Sequence, residues 1–190
     1  MDKSGRNAIL EEKNMKLTDK EFLKKEIELA ISPDNPEFVT LAELTVEQIK
    51  HLKNLKTIDF GAGVGVYSEQ LRKAGFDVTP QDISKAHRDF IKKNYPDLNP
   101  VARPVKADLM IYIEVAEHQT DEEIIKTIEK ISPKVILFSS TPHFSEIDTE
   151  WNHINIKSED EWLNFFADLG YKKEKSLNYP TPWAMLLKKI

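Results

Sequence analysis

The chain contains no cysteine among its 190 residues. That excludes a disulfide framework, a thiolate zinc site and a cysteine nucleophile. No apolar run approaches the roughly 20 residues that span a bilayer. Met1 to Lys16 is polar and mixed in charge, unlike a secretory leader. An excess of one charge is missing as well. The formal net charge is −5, so no global field draws the chain to nucleic acid or anionic lipid. These absences lead to the expectation of a cytoplasmic protein. No internal repeat, low-complexity tract or interdomain linker interrupts the sequence, and its length suits one α/β domain with a sizeable core.

Glycine is scarce, with six in the chain, yet three of them are Gly61, Gly63 and Gly65. They lie in Thr57-Ile58-Asp59-Phe60-Gly61-Ala62-Gly63-Val64-Gly65-Val66-Tyr67, where a short β-rich run ends and an amphipathic segment begins. A backbone without Cβ atoms turns sharply after a strand and lets a ligand approach main-chain N–H groups. Such a turn opening a βαβ unit marks a nucleotide-type cofactor site. Dinucleotide sites use Gly-x-Gly-x-x-Gly. The spacing here is Asp-x-Gly-x-Gly-x-Gly, which argues against a nicotinamide oxidoreductase.

Around this turn the periodicity alternates between strand and helix. Thr18-Asp19-Lys20-Glu21 reads as a capping box for a helix with Phe22, Leu23, Ile27, Ala30 and Ile31 at helical spacing, stopped by Ser32-Pro33-Asp34-Asn35-Pro36. A second signature, Thr45-Val46-Glu47-Gln48, is expected to start a helix carrying Ile49 and Leu52. Thr57–Phe60 is the first strand, and a helix from Val66 to Ala74 closes at Gly75. A second strand runs from Phe76 to Thr79 toward Asp82, and Ser84 caps a helix with Ala86, Phe90 and Ile91 inward. The nearly all-apolar run from Asp108 to Val115 is expected of a buried parallel strand. Thr120 caps a helix, Val135–Phe138 forms another buried strand, and Ser158 caps a helix with Trp162, Phe165, Phe166 and Leu169, closed by Gly170. The final strands, Tyr171–Leu177 and Trp183–Lys188, are too close for a helical crossover and should pair antiparallel. Trp151 is expected in the core together with Trp162, Phe165 and Phe166.

Two further segments carry chemistry. Asp82, at the end of the second strand, lies about 20 residues beyond the glycine turn, where a carboxylate accepts ribose hydroxyls. Its structural alternative is an acid at a helix N-terminus. Glu114-Val115-Ala116-Glu117-His118 then places two carboxylates and an imidazole where a strand runs into a loop. With no thiols present, that donor set suits Mg²⁺ or Mn²⁺ better than zinc.

The glycine turn, the strand-two acid and the Glu-Val-x-Glu-His segment together resemble the class I S-adenosylmethionine (SAM) methyltransferases, over about Thr57 to the C-terminus. The resemblance implies a single-domain, Rossmann-like α/β fold with a mostly parallel sheet and an antiparallel C-terminal hairpin. It implies a division into residues 1–50 (arm and helices on the substrate side) and 51–190 (SAM-binding core). It implies SAM as cofactor, bound by Asp59, Gly61, Gly63, Gly65 and Asp82, with Asp59 setting the turn and facing the SAM ammonium through water. Tyr67 is a candidate cover for the methionine part.

The Glu-x-x-Glu-His pattern is similar to two metal-binding subfamilies, the ubiquinone-pathway O-methyltransferases and the small-RNA 2′-O-methyltransferases. In the latter a downstream histidine completes the metal shell. Here that implies Glu114, Glu117 and His118 as metal ligands, with His153 or His143 added; His153 directly precedes the capped helix, as the family's histidine does. Relatives without metal imply instead that His118 or His153 serves as general base.

The sequence departs from this family between Asp82 and Asp108. Only Pro100-Val101-Ala102-Arg103-Pro104-Val105-Lys106 is left for the usual third strand, and its two prolines oppose a central strand. That strand is expected to be absent or reduced to an edge stub, and no adenine-reading residue is assigned. The leading expectation is O-methylation of a small-molecule or sugar-like acceptor. RNA 2′-O-methylation is the alternative favoured by the metal pattern and opposed by the acidic charge. A non-catalytic SAM-binding or scaffold protein is the reading favoured by the shortened third-strand region. Acceptor specificity is expected in the helices between Phe22 and Leu52 and in the loop from His143 to Asn155.

Overall fold

The computed structural model describes residues 17–142 and 151–190. His143 therefore lies outside the described residues. Two N-terminal helices, α1 (Asp19–Glu28) and α2 (Pro36–Ile49), lead through a 3₁₀ turn at Lys50–Leu52 into β1 (Thr57–Phe60). Then follow α3 (Val66–Lys73), β2 (Val78–Gln81), α4 (Lys85–Asn94), β3 (Leu109–Ile113), a 3₁₀ turn at Ala116–His118, α5 (Asp121–Ile131) and β4 (Val135–Ser139). The chain closes with α6 (Glu159–Asp168), β5 (Tyr171–Ser176) and β6 (Met185–Lys189).

The six strands form one sheet in the order β2-β1-β3-β4-β6-β5. The pairs β1/β2, β1/β3 and β3/β4 are parallel, whereas β4/β6 and β5/β6 are antiparallel. Alternation along the strands feeds two cores. Ile58, Met110, Tyr112, Ile136 and Phe138 point to one face, where they meet Ile124 and Ile128 of α5 and Trp162 and Phe166 of α6. Leu109, Ile111, Val135 and Leu137 point to the other face, where Val46 and Ile49 of α2 and Leu71 of α3 pack. Burial on both faces accounts for the unbroken apolar run of β3.

The strand order decides where a ligand can sit. From β1 the chain steps to β2 on one side, then crosses back to β3 on the other. The carboxyl ends of β1 and β3 thus flank the point where strand order reverses, the usual ligand crevice of an open α/β sheet.

The third-strand stub takes the expected form. Val101 makes a single parallel bridge to Gln81 at the sheet edge. Its N–H donates to Pro80 O at 3.0 Å, and its carbonyl accepts from Asp82 N at 3.1 Å.

Three local expectations are corrected. Helix α2 begins at Pro36 rather than at Thr45, because Asn35 caps it and Pro36 occupies its first turn, a stronger start signal than the interior Thr45. The Thr45 hydroxyl instead donates to Leu41 O at 2.7 Å, one turn back along the helix. Ile27 is 39% exposed, and α1 rests on Phe22 and Leu23 instead. Trp151 is half-buried beside Phe22, at a ring separation of 5.4 Å, outside the aromatic core around Trp162.

Candidate active site

The glycine turn follows β1 with Gly61, Gly63 and Gly65 at φ of +71°, +52° and +80°. A Cβ on Gly61 would stand 2.5 Å from Val115 Cγ2, so only glycine fits where the turn packs on the Glu114–His118 segment. That contact ties together the two motifs legible in the sequence. A stitch on the other side went unread. Gly61 N donates to Gln81 Oε1 at 3.4 Å, Gln81 Nε2 donates to Ala102 O at 3.2 Å, and Ala62 N donates to Gln81 O at 2.8 Å. Gln81 therefore joins the turn to the third-strand stub.

Two buried carboxylates face this turn. Asp59 accepts from Ser68 Oγ at 2.5 Å, and its burial, reinforced by the nearby Asp82 charge, pushes its carboxyl up to about 6 despite the Ser68 bonds. Asp82 Oδ2 accepts from Gly63 N at 2.9 Å and Oδ1 from Ser84 N at 2.8 Å. Burial raises Asp82 as well, opposed by His87, those two amides and Arg88. Each Asp82 oxygen keeps a lone pair beyond its amide bond, which leaves acceptors for a hydroxyl pair. Arg88 fixes the following loop by donating to the Asp82 and Ile83 carbonyls at 2.8 and 2.7 Å.

Tyr67 is partly buried against Val66 and Phe38 beneath α2, with its hydroxyl bonded to Thr45. Burial, opposed by that bond and aided by the charges of Asp59 and Glu114, raises its phenol well above the usual range.

Beyond β3, the structure brings Glu117, His118 and His153 together, with one ligand atom from each lying within 4.8 Å of the others. The rings of His118 and His153 are 4.7 Å apart. Backbone geometry explains why a distant histidine arrives there. Ile154 N and Asn155 N donate to Glu117 O at 2.7 and 3.0 Å, and Asn155 Nδ2 donates to Gln119 O and Asp121 Oδ1 at 2.9 and 2.8 Å. Lys157 adds an ion pair to Asp121 at 2.7 Å while lying over the Trp162 ring.

Glu117 is 1% exposed. Its Oε2 accepts from Ser140 Oγ at 2.9 Å, while its buried Oε1 has no hydrogen-bond partner among the described residues. Burial and then the Glu114 charge push its carboxyl up to about 8. Burial and His153 push the His118 imidazole down to about 4, so it is neutral around pH 7. Glu114 adopts φ +51° and accepts from Ser139 Oγ, whose oxygen also bonds Thr181 Oγ1 at 2.8 Å. Its carboxylate adjoins Glu117 without joining the three-residue cluster.

The donor set suits a divalent cation. A Glu117 oxygen without a hydrogen-bond partner among the described residues is held beside the His118 and His153 imidazoles, where unpaired burial is unfavourable, and a cation would satisfy it.

Sequence reading also passed over the pair above the turn. His87 on α4 is 3% exposed, and its Nε2 lies 2.5 Å from Glu26 Oε2 of α1. Burial alone would lower this imidazole, but the Glu26 bond and the charges of Glu26, Asp82 and Asp19 outweigh it and raise it. A polar residue on each of two helices was the available signal, and it is a weak one.

A glycine turn after β1, an acid after β2 and a crevice at the strand-order reversal define an α/β protein shaped to hold a nucleotide-type cofactor. Within that class, the chain belongs to the methyltransferase domain family, matched over residues 20–174. It is 26% identical over 124 residues to the ubiquinone biosynthesis O-methyltransferase of Rickettsia akari (strain Hartford), a match covering 58% of this chain and 49% of the relative. The matched region thus spans about half of that relative's length.

Among solved structures, the magnesium protoporphyrin IX methyltransferase of Synechocystis PCC 6803 with bound S-adenosylhomocysteine superposes with a TM-score of 0.59 at 16% identity, over 78% of this chain and 83% of the other. Human N-acetylserotonin methyltransferase in complex with SAM gives a TM-score of 0.64 at 15% identity, over 90% of this chain and 56% of the other. The fold is that of the class I SAM-dependent methyltransferases. Among the described residues, no helix is long and apolar enough to cross a membrane.

Proposed function

We propose that the chain transfers the methyl group of SAM to an oxygen of a small-molecule or sugar-like acceptor, with Mg²⁺ or Mn²⁺ at the acceptor end. The observation that carries this reading is the convergence of two different sites on one crevice. The glycine turn with Asp59 and Asp82 stands at the end of β1, and the Glu117, His118 and His153 cluster stands beyond the end of β3. The 26% identity to a ubiquinone-pathway O-methyltransferase supports the oxygen acceptor.

In this reading the turn formed by Gly61, Gly63 and Gly65 shapes the cofactor cradle, Asp82 holds the ribose, and Asp59 supplies buried negative charge for the cationic end. A sulfonium methyl is already activated, so the chain's main contribution is alignment of the acceptor oxygen with it. A bound divalent ion would lower the pKa of the acceptor hydroxyl. Glu117 and His118 would hold that ion, with His153 and then Glu114 as further candidates. The neutral His118 is better suited to ligation than to proton abstraction, since an imidazole held near 4 is a weak base. His153 is the stronger candidate for general base in a metal-free cycle. Helices α1 and α2 would cover the acceptor side.

The test is transfer of labelled methyl from SAM to a panel of catechols, phenols, sugars and RNA 3′ ends, with and without Mn²⁺. Metal-stimulated methylation of a small hydroxyl acceptor is expected. Transfer only to RNA would move the assignment to 2′-O-methylation. SAM binding with no transfer to any acceptor would favour a scaffold role.

A further inference from the structure

Helix α1 carries no fully buried residue, and Leu23 packs only partly buried against a hydrophobic cluster. Its other contacts cluster around the proposed cofactor site. Asp19 Oδ2 accepts from Lys85 N at 3.1 Å, at the start of α4. The Phe22 ring stands edge-on to those of His87 and His118, 6.1 Å from each. Lys25 lies over the Trp151 ring at 4.2 Å. On the same face, Glu26 Oε2 meets His87 Nε2 at 2.5 Å, with 13% and 4% of the two side chains exposed.

The other oxygen of Glu26 has a telling position. Among the described residues, and apart from its chain neighbours, one atom lies within 4 Å of the point where a Cβ on Gly63 would stand. That atom is Glu26 Oε1, at 3.4 Å. The space above Gly63 is otherwise open. The Gly63 N–H is bonded to Asp82 Oδ2 at 2.9 Å, so two carboxylates attend one glycine, one from just beyond β2 and one from α1. Asp82 already accepts two main-chain N–H groups, whereas Glu26 Oε1 is presented to the opening while His87 holds its partner oxygen.

We propose that Glu26 is a cofactor-binding residue, with Oε1 accepting a hydrogen bond from the ribose beside Asp82, and that His87 is the positioning residue that aims it. This rests on the reading of the glycine turn as a SAM site. It gives the N-terminal helix a role in holding the cofactor in addition to its place on the acceptor side.

Calorimetry with S-adenosylhomocysteine and with 5′-methylthioadenosine, which keeps the ribose and lacks the amino-acid end, tests the assignment. Glu26→Ala is expected to weaken both ligands by about tenfold, the loss of one hydrogen bond to a charged acceptor. His87→Leu should weaken them similarly. His87→Gln, whose amide can still donate to Glu26, should restore most of the affinity, which a merely structural role would not do. Thermal melts of the variants separate lost binding from lost fold, and the absence of buried residues on α1 predicts intact folding for Glu26→Ala.

Unchanged or tighter binding in Glu26→Ala overturns the proposal; tighter binding would make α1 a competitor of the cofactor. Weakening confined to S-adenosylhomocysteine overturns the ribose assignment. If the unaltered protein binds neither ligand, the SAM reading itself fails, an outcome distinct from a loss confined to the variants.

Discussion

Asp59→Asn should stabilise the ligand-free protein at neutral pH, and the pH dependence of that gain is the distinctive part. Asp59 is 4% exposed, and its ordinary value of 3.8 is pushed up to about 6, chiefly by burial. Folding therefore favours the protonated form. The stability from a neutral Asp59 is fully present below about pH 4 and is lost as pH rises through about 6, beyond which the fold carries a buried anion. The difference between 3.8 and about 6 corresponds to about 3 kcal/mol at pH 7. An asparagine keeps an acceptor for the Ser68 hydroxyl but presents an amide where a carboxylate oxygen also accepted the Ser68 N–H. The net gain is therefore expected at about 1–3 kcal/mol.

Urea unfolding of both proteins across about pH 4 to 8 gives the difference directly, because the other titrating groups are common to both. The gap should open between about pH 4 and 6 and level off above. A gap that does not vary with pH, or a less stable variant at the alkaline end, would refute the reasoning. The variant should also bind SAM more weakly, since the buried charge is then no longer available to a cationic ligand.

Gly61→Ala should cost at least about 2 kcal/mol, because φ is +71° and the new Cβ would stand 2.5 Å from Val115. Gly75→Ala, at φ +89° with nothing within 4 Å, should cost only about 1 kcal/mol; thermal melts of the pair separate clash from backbone strain. Mn²⁺ added to the metal-stripped protein should give a heat of binding that Glu117→Ala abolishes and Glu114→Ala only weakens, because Glu114 is engaged with Ser139. Phe166→Ala, fully buried against Phe138, Trp162 and Tyr171, should lower unfolding free energy by about 3–5 kcal/mol without changing SAM affinity.

The core of the fold was legible because its signals are local. The turn after Phe60 needs glycines, β3 needs an apolar run to be buried on both faces, and the capping boxes at Thr18, Thr120 and Ser158 all form as read. The prolines at 100 and 104 correctly pointed to a reduced third strand. Helix α2 was misread because Thr45 resembles a cap from sequence alone, whereas Asn35-Pro36 is the actual start.

Of the candidate site, the motif residues were found but their partners were not. Glu26, Gln81 and His87 act across about 20 to 60 residues of sequence, and neither periodicity nor spacing carries such pairings. His153 was selected by its place before a capped helix, and the bonds from Ile154 and Asn155 to the Glu117 carbonyl are what bring it to Glu117 and His118. Trp151 was misplaced because an aromatic residue near a helix is usually core, and the opening beside α1 cannot be seen in one dimension.

The central claim is that the turn between β1 and α3, with Asp82, is a SAM site. The most direct measurement is equilibrium binding of SAM to the unaltered protein and to Asp82→Ala, with folding of both checked by circular dichroism. The account predicts a micromolar complex weakened at least about tenfold in the variant. Absence of binding to the unaltered protein, or equal affinity in a folded Asp82→Ala, would contradict it.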